Sequence, residues 1–162
     1  MKILGIDPGI GATGFAILEG EPLALVSSGE IRPAKEMSRL KYLFTEIGGI
    51  IDLHQPEVVA LEDTFFAKNV KSALTLGQAR GVAILAAQMQ NLPVFEYSPR
   101  SVKMAVVGFG GATKDQVKIM VSRILNLSVP IISEHTADAA AVAICHAHSA
   151  KWQEKLAAPL AQ

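Results

Sequence analysis

Short apolar runs that end at turn residues predict strands in the first third of the chain. Residues 3–7 are mostly apolar and end at a Pro-Gly pair, which predicts a central strand followed by a tight turn. Residues 13–18 and 23–31 predict two further strands, separated by a Gly-Glu-Pro turn. The pattern therefore predicts a meander of three antiparallel strands.

Helical periodicity alternates with two more apolar strands in the rest of the chain. Residues 58–61 form an uninterrupted apolar run that ends at Glu62 and predicts a buried fourth strand, and residues 93–97 predict a fifth. Helices are predicted at residues 38–53, 72–90, 99–107, 113–125 with Thr113 as N-cap, and from Ser133 or Thr136 to about residue 150. The segment 63–70 has no clean periodicity and predicts a mobile loop. This order predicts an α/β domain with a mixed five-stranded sheet flanked by helices.

Composition favours one globular domain. The chain has 162 residues, half of them apolar, so a single domain over residues 1–150 with a weakly ordered C-terminal tail at residues 151–162 is expected. Cys145 is the only cysteine, which excludes an internal disulfide and fits a reducing compartment. The start of the chain shows no secretory signal pattern, so we expect a cytoplasmic location.

Charge is distributed unevenly along the chain although its formal sum is zero. Residues 1–63 hold five basic and ten acidic side chains, whereas residues 64–123 hold eight basic and two acidic ones. An acidic portion joined to a basic one suits a metal site that faces a polyanion. Ordinary clustering of surface charge explains the pattern about equally well.

Three acids and one histidine stand at positions where they can share a metal ion. Asp7 and Glu62 each end a predicted strand, and Asp138 lies in the first turns of an alanine-rich helix that can pack closely on the sheet. Carboxylate clusters suit hard cations such as Mg²⁺ or Mn²⁺, which activate water for phosphodiester hydrolysis. His135 lies three residues before Asp138 on the same helical face. It could ligate a metal, which would favour Mn²⁺ over Mg²⁺, or it could shuttle a proton. Taken singly, each side chain also has a structural explanation, as a turn cap, a helix-terminal charge or a solvated group.

Several short motifs follow one another along the chain. They are Gly5-Ile6-Asp7-Pro8-Gly9, Leu61-Glu62-Asp63-Thr64-Phe65-Phe66-Ala67-Lys68-Asn69, Leu76-Gly77-Gln78-Ala79-Arg80-Gly81-Val82-Ala83, Pro93-Val94-Phe95-Glu96-Tyr97, Val102-Lys103, Val106-Val107-Gly108 and Ala137-Asp138-Ala139-Ala140. Together, in this order, they resemble the bacterial RuvC family of Holliday-junction resolvases. The likeness covers about residues 1–150. It implies a ribonuclease-H-like fold, a homodimer, and metal-dependent nicking of two opposing strands of a four-way junction that leaves 5′-phosphate and 3′-hydroxyl ends.

The resemblance also implies roles for individual residues. In the family, four acidic residues bind the metals, which implies two Mg²⁺ or Mn²⁺ ions per site. Asp7, Glu62 and Asp138 match three of these four residues. His135 stands where many members have the remaining aspartate, and other members also have histidine there.

DNA-contact residues are expected in the basic part of the chain. Phe65 matches an aromatic residue that helps unstack bases at the junction centre, although Phe65 or Phe66 could instead fold onto the core. Lys103 and Lys114 match family positions that contact DNA. Charge alone suggests further phosphate neighbours, at Lys68, Lys71, Arg80, Arg100 and Lys118.

Partners and alternatives complete the expectations. A symmetric junction needs two nicks, which a homodimer delivers, and the apolar helix at 72–90 is the candidate interface unless it is buried within one chain. A branch-migration complex of the RuvA and RuvB type is a possible further partner. The alternatives are a catalytically weak or inactive module that binds branched DNA, and a relative of actin-like kinases and ATPases, whose phosphate-binding turn resembles Gly5–Gly9.

Overall fold

The computed structural model describes residues 1–9, 11–33, 38–63, 69–131 and 133–157. The elements, in chain order, are β1 (Lys2–Asp7), β2 (Thr13–Glu19), β3 (Ala24–Ile31), α1 (Arg39–His54), β4 (Val58–Glu62), α2 (Val70–Met89), β5 (Val94–Tyr97), α3 (Pro99–Val107), α4 (Lys114–Ile124) and α5 (Glu134–Ala157). The predicted five strands and their intervening helices are confirmed. Helix α5 ends at Ala157 rather than near residue 150, and residues 158–162 lie outside the described part.

The five strands form one mixed sheet in the order β3-β2-β1-β4-β5. The meander β1-β2-β3 is antiparallel, whereas β4 lies parallel to β1 and β5 lies parallel to β4. Parallel neighbours require a crossover connection, which α1 and α2 provide. As a result, the C-terminal ends of β1, β4 and β5 meet at the same edge of the sheet.

Each face of the sheet has its own apolar core. One face packs against α3, α4 and α5, and its core includes Ile3, Leu18 and the buried alanines of α5. The opposite face packs against α1 and α2, with Leu4, Ile6 and their neighbours in the core. Alternate residues of β1 therefore serve opposite cores, as the twofold periodicity of a strand dictates.

Helix α5 lies unusually close to the sheet because small residues face each other across the contact. Ala139, Ala140 and Ala141 are fully buried, as the alanine-rich sequence predicted. A side chain at Gly5 would collide with the backbone oxygen of Ala139, so only glycine permits this approach. The close packing fixes the side chains of α5 relative to the end of β1.

The nearly all-apolar sequence of α2 predicts burial on more than one side, and this prediction is wrong within a single chain. Its buried residues, Ala79, Ala83, Ala86 and Ala87, form a single stripe of small side chains against the sheet and α1. Its larger apolar side chains Val70, Leu74, Leu85 and Met89 are at least half exposed. A single chain therefore leaves an apolar face of α2 uncovered.

Local sequence signals explain two of the helix starts. Thr113 caps α4 as predicted: its hydroxyl accepts a hydrogen bond from the Gln116 amide while the Gln116 side chain accepts one from the Thr113 amide. Asn69 caps α2 by accepting a hydrogen bond from the Ser72 amide. Among the described residues, no helix has the length and apolarity that crossing a membrane requires.

Candidate active site

The predicted acids meet at the edge of the sheet where β1 and β4 end. Asp7 is the last residue of β1 and Glu62 is the last residue of β4. The two strands pair in parallel, with Ile6 opposite Leu61, so the two acids stand side by side. Asp138 approaches the same edge from the first turns of α5, which packs on both strands.

Electrostatics show that the three carboxylates share one environment. Burial raises the pKa of Glu62 to about 7, and the negative charges of Asp7 and Asp138 add to the rise. Burial also raises the pKa of Asp138, again with a contribution from Asp7. Because like charges this close disfavour each other's ionisation, the cluster is under electrostatic strain that a cation would relieve.

His135 is directly bonded to one of these acids. Its Nδ1 lies 2.7 Å from Oδ2 of Asp7. This hydrogen bond raises the pKa of His135, opposed by partial burial and aided by further carboxylates nearby. The contact with Asp7 therefore favours the protonated, positively charged form of the imidazole within the acidic cluster.

Lys114 supplies a second positive group at the site. Its ammonium group, at the start of α4, lies 3.2 Å from Glu134 and 3.5 Å from Asp138. The lysine side chain remains two-thirds exposed, so it faces solvent at the mouth of the cluster. A residue expected from the family resemblance to contact DNA thus stands beside a candidate metal ligand.

The donor chemistry of the cluster fits divalent metal ions. Three carboxylates and an imidazole are ligands that Mn²⁺ accepts, and the carboxylates alone suit Mg²⁺. Among the described residues, no three acidic, histidine or cysteine side chains already surround a common point that could hold an ion. The Asp7–His135 and Asp138–Lys114 contacts occupy part of the donor set. An ion held by these side chains would have to displace both contacts, at a place where the two strand ends and α5 already bring the acids together.

The predicted DNA-contact residues differ in their position relative to the acidic cluster and in their partners. Lys103 lies in α3, and its charge lowers the pKa of Glu62, which locates it near the cluster. Arg80 lies in α2, where its guanidinium pairs with Glu96 at 2.7 Å and with Asp63 at 3.3 Å. The structure thus gives Arg80 acidic partners within the chain, while its contact with phosphate stays a prediction.

The remaining predicted contacts are spread over three helices or lie outside the described part of the chain. Lys71 is in the first turn of α2, Arg100 in the first turn of α3, and Lys118 in the middle of α4. Phe65 and Lys68 fall in residues 64–68, which lie outside the described residues.

Sequence reasoning missed several residues that support the site. Arg39, the first residue of α1, donates a hydrogen bond of 2.7 Å to the carbonyl oxygen of Gly9 in the turn that follows Asp7. Glu30 and Ser133 are hydrogen-bonded to each other at the start of α5. Nothing in the local sequence distinguishes Arg39 or Glu30, and the sequence predicts Ser133 only as a helix start, because their partners across the fold are distant along the chain.

The fold and the site together define a class of protein. A five-stranded mixed sheet, with acids at the ends of two central parallel strands and a third acid from a packed helix, is a ribonuclease-H-like nuclease domain. The family profile described as crossover junction endodeoxyribonuclease RuvC matches residues 3–146. The chain belongs to the RuvC family of crossover junction endodeoxyribonucleases.

Individual relatives resemble almost the whole chain. The RuvC of Pelotomaculum thermopropionicum is 50% identical over 161 residues, which cover 96% of this chain and 98% of the relative. The RuvC of Citrifermentans bemidjiense is 52% identical over 155 residues, covering 93% of this chain and 94% of the relative. The solved structure of Thermus thermophilus RuvC in complex with Holliday junction substrate has a TM-score of 0.89 and 31% identity, covering 94% of this chain and 96% of that chain.

Proposed function

We propose that this chain resolves four-way DNA junctions as a homodimer, by metal-dependent nicking of two opposing strands that leaves 5′-phosphate and 3′-hydroxyl ends. The observation that supports this most strongly is the convergence of Asp7, Glu62 and Asp138 at one edge of the sheet, where burial and the charge of Asp7 raise the pKa of both Glu62 and Asp138. Membership of a nuclease family supports a nuclease rather than an actin-like kinase.

The proposed metal ligands are Asp7, Glu62 and Asp138, with His135 as the fourth. Two Mg²⁺ or Mn²⁺ ions bound there would supply an activated water and stabilise the departing 3′ oxygen. His135 contacts Asp7 at 2.7 Å, and Lys114 contacts Asp138 at 3.5 Å. We expect both contacts to open when ions bind, since the same oxygen atoms are needed as ligands.

The basic side chains around the cluster would bind and orient the junction. Lys114 is exposed beside Asp138 and is free to turn from this acid toward a phosphate, because its stem is flexible and its head faces solvent. Lys103 on α3 would contact the DNA backbone from the neighbouring helix. Lys71, Arg100 and Lys118 would contact phosphates farther from the acidic cluster. Phe65 and Lys68, in the segment that follows Glu62 and Asp63, are proposed to reach the junction centre and its backbone.

The apolar face of α2 is the proposed dimer interface. Leu74 and Met89 are exposed by 65% and 68%, and Val70 and Leu85 extend the same uncovered surface. Burial of a leucine-sized side chain contributes about 1.5–3 kcal/mol, so covering several of them offers substantial free energy for association. A second copy related by a twofold axis would bring two active sites to the two strands of a symmetric junction.

A labelled synthetic four-way junction tests the function. The protein is incubated with the junction, and with a linear duplex of the same sequence, in Mg²⁺, in Mn²⁺ and in EDTA. We expect nicks at symmetric positions in two opposing strands of the junction only, dependent on metal, whose products a DNA ligase can seal. Binding without nicks in either metal would support the non-catalytic module instead, and equal cleavage of the duplex would contradict junction specificity.

Two further parts of the proposal concern the protein's setting. We expect it to act in the cytoplasm, where bacterial DNA junctions arise, and to accept a junction held by a branch-migration complex of the RuvA and RuvB type. Both stay predictions.

A further inference from the structure

A row of three residues across the sheet leads from the active site to Glu30. Asp7 of β1 pairs with Gly14 of β2, and Gly14 pairs with Glu30 of β3. Residues directly opposite each other on paired strands have their side chains on the same face. With strands about 4.8 Å apart, Asp7 and Glu30 thus stand roughly 10 Å from each other on one face, with no side chain between them.

The first turn of α5 occupies the space that Gly14 leaves. A Cβ atom at Gly14 would collide with the backbone oxygen of His135 and would lie 3.0 Å from the Cβ of the same residue. The start of the helix therefore rests on the backbone of β2, between the two acids.

The start of α5 is hydrogen-bonded to the sheet on both sides of Gly14. On one side His135 is hydrogen-bonded to Asp7 at 2.7 Å. On the other side the Ser133 hydroxyl donates to the carboxylate of Glu30, and the Thr136 hydroxyl donates to the carbonyl oxygen of Gly29 at 3.2 Å.

Ser133 and Glu30 are themselves held in place. The Ser133 oxygen accepts a hydrogen bond of 3.2 Å from the Thr136 amide, so the same hydroxyl caps the helix and ties it to the sheet. The second carboxylate oxygen of Glu30 accepts a hydrogen bond of 2.6 Å from Nε of Arg32. Only 16% of the Glu30 side chain is exposed, which is low for a glutamate on an edge strand.

We infer that Glu30 is a positioning residue for the metal centre, acting through Ser133 to fix the first turn of α5. The inference rests on the proposed function, since the residues positioned are the proposed ligands His135 and Asp138. Metal sites need their ligands held closely, and loss of an outer partner that orients a ligand typically weakens metal binding or activity tenfold or more. Among the described residues, Glu30 is hydrogen-bonded to Ser133 and Arg32 rather than to a proposed ligand, so its effect on the ligands passes through Ser133 and through its charge near His135.

The test compares Glu30→Ala and Ser133→Ala with the conservative Glu30→Gln, whose amide oxygen still accepts from Ser133. Glu19→Ala is the matched control, because Glu19 is an ion-paired glutamate on β2 at the opposite end of the sheet, roughly 17 Å away along the strand. The first measurement is amide hydrogen exchange of residues 136–138 in the metal-free protein. We expect exchange roughly tenfold faster in both alanine variants, and within about twofold of the parent in Glu30→Gln and Glu19→Ala.

The second measurement is junction cleavage at increasing Mn²⁺, together with junction affinity in EDTA. Glu30→Ala should raise the half-saturating Mn²⁺ concentration roughly tenfold, with junction affinity in EDTA unchanged. The double variant Glu30→Ala/Ser133→Ala should be little worse than Ser133→Ala alone, because both changes remove the same contact.

The outcomes distinguish failure of the positioning role of Glu30 from failure of the proposed function. Unchanged exchange in Glu30→Ala, or additive effects in the double variant, would overturn the positioning role even if the parent protein resolves junctions. Faster exchange in Ser133→Ala alone would not support it, because that variant also loses the cap on the Thr136 amide. A Glu30→Gln variant as impaired as Glu30→Ala would also overturn it, since charge rather than the anchor would then matter. A parent protein that does not cleave would refute the proposed function, while the exchange measurement would still decide whether Glu30 anchors α5.

Discussion

Replacement of Glu62 by glutamine tests the electrostatic strain of the acidic cluster. Burial and the charges of Asp7 and Asp138 raise the pKa of Glu62 from an ordinary 4.5 to about 7. Between these two values the unfolded chain releases the proton while the folded chain keeps it, so folding stability falls as the pH rises from about 4.5 to about 7 and then levels off. A neutral side chain of the same size removes this cost.

The magnitude follows from the same two pKa values. At about 1.4 kcal/mol for each tenfold change in the protonation equilibrium, a rise from 4.5 to about 7 corresponds to roughly 3 kcal/mol at pH 8. We expect Glu62→Gln to recover about 2–3 kcal/mol in metal-free protein. For a chain of this size, this raises Tm by roughly 5–10 °C.

Thermal unfolding in EDTA at pH 5 and pH 8 measures the effect. The Tm advantage of Glu62→Gln should be large at pH 8 and small at pH 5, whereas the exposed Glu57→Gln should show no such pH-dependent gain. Mn²⁺ should raise the Tm of the parent protein at pH 8 and leave that of Glu62→Gln nearly unchanged, because binding to the folded state alone stabilises it. A Glu62→Gln variant that is no more stable than the parent at pH 8 would refute the account of a strained carboxylate cluster.

Three further substitutions test separate parts of the account. His135→Ala should lower cleavage and shift the ratio of Mn²⁺- to Mg²⁺-supported rates toward Mg²⁺, because an imidazole ligand favours Mn²⁺; an unchanged ratio in the nicking assay would remove His135 from the metal site. Gly14→Ala should cost about 1–3 kcal/mol in urea unfolding and reduce cleavage at least tenfold, because its Cβ collides with His135, whereas Gly11→Ala in the same region has open space and should do neither. Leu74→Lys should shift the protein toward monomer in analytical ultracentrifugation, with Leu53→Lys on α1, a leucine at least as exposed, as control; an unchanged distribution would place the interface elsewhere.

Asp7 and Glu62 show which part of the candidate site can be predicted from the sequence. Asp7 and Glu62 could be singled out because each ends an apolar run before a turn or loop. Their adjacency depends on the parallel pairing of β1 with β4, which joins residues more than 50 positions apart and leaves no trace in local periodicity. Family motifs, rather than hydrophobic pattern, supplied that missing information.

Some residues have roles that depend on partners distant along the chain, and these roles could not be predicted from the sequence. Arg80 looks like a phosphate contact in a basic segment, yet its acidic partners Asp63 and Glu96 come from the ends of two different strands. Glu30 lies in a strand of alternating exposure with no motif around it, and its role becomes visible only when β3 and the start of α5 are placed together. Such contacts depend on tertiary structure, so propensity and spacing do not reveal them.

The Asp7→Asn variant tests the central claim most directly, because Asp7 contacts His135 and its charge adds to burial in raising the pKa of both other carboxyl groups. Strand nicking of a labelled four-way junction is measured in Mn²⁺, and junction affinity is measured in EDTA, for this variant and the parent protein. We predict loss of nicking by at least a thousandfold with junction affinity within about threefold of the parent, since the acid's task is to bind metal. Nicking that persists in Asp7→Asn, in Mn²⁺ and at the same positions, would contradict the assignment of this cluster as the active site.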